Sequence, residues 1–223
     1  MLALLKVGGR RGWSISKILG ERARVVQIPE LKPRHIKKCA KILRGCRVLI
    51  PEALSAESLT PYGIASLSPE ELHYYLAGEI YKKTIARFCL APCKLRVVLN
   101  AGRIGSKEEY IIEDIAKNSR HFQINAAHAE AQLMLMERYG IPQVSIAAPD
   151  IVINMYRRSF SLQFYGDGGR YKAEGITLKP HEECGGVDAE YLKSAYLYLI
   201  QAGRIAPERV KVEDVTFIYE KLT

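Results

Sequence analysis

Two stretches of the chain repeat one spacing in register: Val7-Gly8-Gly9-Arg10-Arg11-Gly12 and Asn100-Ala101-Gly102-Arg103-Ile104-Gly105. Each follows an apolar run of strand length, at 2–7 and at 95–99, and each is read as opening onto a helix. Glycines flanking such a turn let the backbone approach a ligand and let the helix pack closely on its strand. Two of these turns, 93 residues apart between Gly9 and Gly102, point to a repeated strand–turn–helix unit.

The intervening pattern fits that repeat. The first half reads as strand 2–7, helix 14–22, strand 24–28, helix 33–44 and strand 46–50. The second reads as strand 95–99, helix 107–117, strand 121–125, helix 128–139 and strand 143–147. Short Val, Ile and Leu runs alternating with helices are the mark of parallel strands buried on both faces. Pro33 sits at a helix start and Gly45 at its stop. A long helix over 69–88, with Ser68, Pro69 and Glu71 at its start and a stripe of Leu72, Leu76, Ile80 and Ile85, joins the halves as a crossover. Residues 51–67 form a long connection that suggests a lid or an insertion. Beyond 150, a hairpin about Gly166-Asp167-Gly168-Gly169 and a helix over 188–201 that stops at Gly203 form an addition packed on the core. The tail from 209 fits strand or helix equally well.

This pattern resembles the Rossmann superfamily over roughly residues 1–150. It implies an α/β fold, a doubly wound, mostly parallel sheet built from two pseudo-repeated βαβαβ halves (1–50 and 95–150), with residues 151–223 as the hairpin and helix addition. The resemblance further implies a nucleotide, dinucleotide or other phosphorylated anion held where strand order reverses, between the two loops. The residues it assigns to that crevice are Gly9, Arg10, Arg11, Gly12, Asn100, Gly102, Arg103, Gly105 and His128. Glu30, 21 residues after Gly9, stands where a ribose-binding acid belongs, with Lys32 and Arg34 nearby to favour an extra phosphate. Both loops lack the first glycine of the dinucleotide fingerprint. Ser106 and Glu109 are spaced as a capping box that competes for the amides an anion would use.

Charge adds an alternative. Of the net +9, the first 50 residues carry +11, with thirteen Lys and Arg against Glu21 and Glu30 alone. Such a field concentrates anions. The helix at 33–44 segregates it, with Ile36, Cys39, Ala40 and Leu43 on one face and Arg34, Lys37, Lys38, Lys41 and Arg44 on the other. That cationic face, with Trp13 near it in sequence, suits nucleic-acid phosphates or an acidic partner.

Other segments are weaker guides. Residues 127–130 resemble the His-Ala-Glu segment of cytidine-deaminase-like zinc enzymes, but the Pro-Cys-x-x-Cys supplying two further ligands is missing. Cys89, Cys93, His181 and Cys184 lack a recognised zinc spacing, and no metal site is expected. The segment 181–186, His-Glu-Glu-Cys-Gly-Gly, is a candidate catalytic or lid segment. Helix 128–139, with Leu-Met-Leu-Met at its centre, is read as buried between layers or as a seam between subunits. Five scattered cysteines and no run of 18 apolar residues point to a cytoplasmic protein with no membrane partner. No residue set identifies a reaction.

Overall fold

The computed structural model describes residues 1–102, 104–125, 130–142 and 145–222. In chain order the strands are β1 (Leu2–Val7), β2 (Gly12–Ile18), β3 (Glu21–Ile28), β4 (Arg47–Leu49), β5 (Ala65–Leu67), β6 (Arg96–Ala101), β7 (His121–Asn125), β8 (Ile151–Tyr156), β9 (Ser159–Gly166), β10 (Gly169–Leu178) and β11 (Val212–Lys221). The helices are α1 (Pro33–Leu43), α2 (Glu71–Tyr75), α3 (Ala77–Arg87), α4 (Ser106–Ala116), α5 (Glu130–Tyr139) and α6 (Leu192–Gln201). The architecture is mixed α/β with parallel strands, in two sheets ordered β2-β3-β1-β4-β5 and β11-β10-β9-β8-β6-β7. The chain divides into two compact units, Met1–Leu72 with Leu178–Val210 and His73–Thr177 with Lys211–Thr223. The single doubly wound sheet over 1–150 is thereby corrected: β1 and β6 belong to different sheets, and the division does not fall at 150. Local periodicity reveals strands and helices, whereas sharing a ladder is a non-local choice that it does not encode.

In the first unit β1 pairs in parallel with β3 on one side and β4 on the other, and β4 pairs in parallel with β5. Leu2, Ala3, Leu4 and Leu5 are all buried, as a strand covered on both faces requires. The expected helix at 14–22 is instead β2, antiparallel to β3 along its whole length from Gly12↔Gln27 to Ile18↔Glu21. A two-residue turn, Leu19-Gly20, closes that hairpin with both residues at positive φ. Leu19 tolerates the left-handed conformation because its side chain is fully buried.

The glycines after β1 explain how β2 reaches its place. The chain crosses the end of β3 and pairs on its far side, with Gly8 and Gly9 at φ +107° and +77°. Gly8 N–H donates to the Ile28 carbonyl at 2.8 Å, and Gln27 Nε2 donates to the Gly8 carbonyl at 2.6 Å. A Cβ on Gly9 would lie 2.5 Å from Gln27 Nε2, so a side chain there would have to displace the Gln27 amide from the Gly8 carbonyl, on a backbone that already favours glycine. Gly12 has open space around it and an ordinary φ.

Chain reversal from β3 to β4 runs through α1, whose Ile36, Cys39 and Leu43 pack with Ala3, Leu5, Val26, Ile28 and Val48 into one core. The 51–67 connection is not a lid. Leu54, Leu59 and Ile64 are buried in that same core, and two 3-10 turns at 56–58 and 60–62 hold the segment compact. α6 belongs to this unit, and Ser194 Oγ donates to the Ile50 carbonyl at 2.9 Å.

In the second unit β6 pairs in parallel with β7 and with β8, so strand order reverses at β6, and β9 to β11 extend the sheet beyond β8. The hairpin at 166–169 and the strand-like tail are part of this sheet rather than an addition to it. Ser145–Ala147 are not in a strand, and β8 takes the place expected for 143–147; residues 143 and 144 lie outside the described residues. The expected helix 69–88 breaks at Leu76 into α2 and α3. α3 packs so closely on α4 that a Cβ on Gly78 would lie 2.1 Å from Asp114 Oδ2. On α5, Leu135 is buried while Leu133 and Met136 are exposed, so the helix is not enclosed on all sides. Among the described residues no helix is long and apolar enough to cross a membrane.

At the start of β6, Asp150 accepts from the Arg96 backbone N–H at 2.9 Å and from its guanidinium at 2.8 and 3.2 Å. The guanidinium holds the Asp150 carboxyl below its ordinary 3.8. The stability this supplies is complete above that ordinary value and is lost as pH falls through the lower folded value. Asp150→Asn is expected to lower stability at neutral pH and to flatten the acid limb of a stability–pH profile, the two proteins converging at low pH. Gly9→Ala is expected to cost about 1–3 kcal/mol in urea unfolding, through left-handed strain and displacement of Gln27. Gly12→Ala should be neutral or stabilising by up to about 1 kcal/mol, the reverse of what a phosphate-binding fingerprint demands.

Candidate functional site

The two Gly-Arg loops have separate local settings. The first leads into β2, so no helix N-terminus stands behind Gly9, Arg10, Arg11 and Gly12, and the Gly8 amide is spent on Ile28. The second does lead into a helix, α4. There Gly105 is the N-cap, and its N–H donates to Glu108 Oε2 at 3.1 Å, with Tyr74 donating its hydroxyl hydrogen to the other oxygen of the same carboxylate. Glu108, not Glu109, closes the cap. An anion approaching the start of α4 meets a carboxylate already bound at its N-cap. Gly102 donates its N–H to the Met155 carbonyl at 3.3 Å, and its neighbour Arg103, like His128, lies outside the described residues.

Glu30 is taken up by cations. It pairs with Lys32 at 2.8 Å and Arg34 at 3.4 Å, with His35 Nδ1 at 3.8 Å. The hydrogen bond from Lys32 is foremost among the effects that lower its carboxyl below the ordinary range. Arg34 is thereby turned to Glu30, and Arg44 is exposed just past the C-terminal end of α1.

The remaining cations of α1 come together with β2. Because β2 is the outer strand, it extends the sheet past the cover of α1 and leaves a groove of about 640 Å³ between them. Lys37, Lys38 and Lys41 line its helical side, and Arg11 and Trp13 its strand side. Val26, Cys39 and Ile42 contribute apolar surface. Trp13 lies opposite Val26 in the ladder and so shares the sheet face on which α1 packs, yet it is 59% exposed. No carboxylate lines the groove among the described residues, and none of its four cations is paired there. Burial raises the Cys39 thiol, so it stays protonated at neutral pH and supplies packing rather than a nucleophile.

A second polar feature belongs to the other unit. Across β7, β6, β8 and β9 the residues Asn125, Asn100, Asn154 and Ser161 stand side by side in register. Asn125 Nδ2 donates to Asn100 Oδ1 at 2.9 Å, Asn100 Nδ2 to Asn154 Oδ1 at 2.8 Å, and Asn154 Nδ2 to Ser161 Oγ at 3.1 Å. Gln123 Nε2 feeds the row through Asn125 Oδ1 at 2.7 Å. Bonds running in one direction polarise each other, and the row satisfies amides that sit half-buried in a sheet. Asn100 thus acts as a lattice point of the sheet. The sequence carries the signal, since three strand runs end in Leu-Asn or Ile-Asn, at 99–100, 124–125 and 153–154.

The segment at 181–186 is not a reactive loop. Cys184 is buried, which pushes its thiol up to about 11, and Glu183 pairs with Arg204 at 2.9 Å. Among the described residues no group of three or more His, Cys, Asp or Glu is disposed to hold a metal ion.

No family model matches the chain, and no curated protein matches it in sequence. Among solved structures, a shikimate 5-dehydrogenase-like protein matches at a TM-score of 0.28 and 12% identity, over 69% of this chain and 65% of its own. The chain therefore spans less than two thirds of that protein's length.

Asn100→Ala would leave the half-buried Asn154 side-chain oxygen without its donor and release the exposed Asn125 amide to water. A loss of about 1–3 kcal/mol in chemical denaturation is expected, larger than for a surface Asn→Ala.

Proposed function

We propose that the chain binds a phosphorylated ligand of nucleotide type in the groove between β2 and α1. The observation that carries this is the lining: four cations and an exposed tryptophan about one concave surface with no carboxylate. Lysines answer phosphate as point charges and Arg11 answers it as a planar fork. Trp13 offers an aromatic face on which a base stacks. A solvated helix face would need neither the tryptophan nor the concavity. The proposal is one of binding, since no nucleophile–base pair lines the groove among the described residues.

Trp13 is the sole tryptophan of the chain, so its fluorescence reports on the groove directly. Adenosine triphosphate at low salt is expected to quench it and to raise the unfolding temperature, and inorganic tripolyphosphate to raise the temperature with less quenching. Combined Lys37→Gln, Lys38→Gln and Lys41→Gln substitution should weaken triphosphate binding roughly tenfold or more, at about 0.5–1 kcal/mol per contact. Absence of both responses, or equal affinity in the triple variant, sinks the proposal.

A further inference from the structure

We infer, on the basis of the anion-binding groove proposed above, that its occupant is a polymer: single-stranded nucleic acid lying along β2, with the groove as one end of its track. Residues directly opposite in an antiparallel ladder share a face, and Trp13↔Val26, Ile15↔Arg24 and Lys17↔Arg22 are such pairs. The face on which α1 packs therefore continues along the β2–β3 ribbon as Arg11, Trp13, Ile15 and Lys17 on β2 and Arg24 and Arg22 on β3, Arg24 donating to the Ile42 carbonyl of α1 at 2.6 Å. Successive same-face positions on β2 recur every ~6.6 Å, of the order of the repeat of an extended nucleotide chain, and seven residues of strand span ~23 Å. A second, shallow depression of about 420 Å³ lies further along the same strand, lined by Ile15, Ser16, Lys17, Gly20 and Arg22.

Three observations favour a chain over a single nucleotide. The cations extend past the groove to Lys17 and Arg22, further than one triphosphate needs. Lys17 and Arg22 are exposed and stand directly opposite each other, a like-charge cross-strand pair that weakens the hairpin unless an anion lies over it. Charges alone are a common guard on an outer strand, but here Arg11 and Lys17 flank Trp13 and Ile15, exposed to 59% and 49%, which a guard against aggregation would avoid. The acid at this hairpin, Glu21, is already engaged by Arg204 at 3.3 Å and by the Tyr198 hydroxyl at 2.7 Å. A line of cations with an exposed aromatic side chain among them is how single strands are held without sequence readout.

The test uses the full chain and fluorescein-labelled oligo(dT) and oligo(U) of four and twelve nucleotides, read by anisotropy beside triphosphate binding read by Trp13 fluorescence. The twelve-mer is expected to bind at least tenfold tighter than triphosphate, with a log–log salt slope of about −3 to −5. Lys17→Gln with Arg22→Gln should weaken the twelve-mer several-fold and leave triphosphate binding unchanged. Trp13→Phe should retain twelve-mer binding that Trp13→Ala loses. If triphosphate binds and the twelve-mer gains nothing, or ignores Lys17 and Arg22, the polymer inference is overturned while the groove survives. Equal competition by poly-glutamate of matching length, or by duplex DNA, also overturns it. If neither triphosphate nor oligonucleotide binds, both proposals fail.

Discussion

The first unit depends on one fastening, the passage of the chain over the end of β3. Gly8 and Gly9 take left-handed φ values, the Gly8 amide bonds Ile28, and Gln27 closes over the loop and occupies the space a side chain at Gly9 would need. Without that crossing, the segment after β1 has no route to the far side of β3. With it, β2 becomes the outer strand, α1 covers only the inner part of the sheet, and the shelf left over is the groove. The same few atoms thus settle the strand order, the exposure of Trp13 and the place where the lysines of α1 find a facing wall.

That fastening also accounts for what was legible in the sequence and what was not. α1 was readable to within a residue, because Pro33, Gly45 and the split between Ile36, Cys39, Leu43 and the lysines are all local signals. β6, α4 and β7 were readable for the same reason. β2 was not. Trp13, Ser14, Ile15 and Ser16 do alternate apolar and polar, but Lys17 ends the alternation after two periods, too short a run to outweigh the glycine turn before it. The glycines before it were read as a ligand loop, yet left-handed glycine serves a tight crossing as well as a phosphate cradle, and only the identity of the next element separates the two. The in-register repeat at Gly102 was real as spacing, but its strand belongs to a different sheet.

Glu30 and Glu108 show how spacing misleads about charge. Position alone nominated Glu30 for a ribose, but Lys32 and Arg34, two and four residues on, claim it first. Glu108 takes the amide of Gly105, the N-cap of α4, and sets a carboxylate at the helix start where a fingerprint would leave room for phosphate. An acid is available to a ligand only when nearer cations and amides are not, and a sequence lists neighbours along the chain without their distances in space.

A contrast between the two polar features separates a structural group from a binding one. In the asparagine row each amide donates to the next, so the polar atoms that a sheet interior cannot leave bare find partners within the protein. Such a row is complete by itself. The cations of the groove differ: Arg11, Lys37, Lys38 and Lys41 face one concavity with no acid in its lining among the described residues. Like charges gathered on one surface repel at a range that water and salt only partly screen. A fold gains nothing from that arrangement in isolation, and the repulsion would be relieved by an anion, which is the physical ground for placing the proposed binding at the groove rather than at the row.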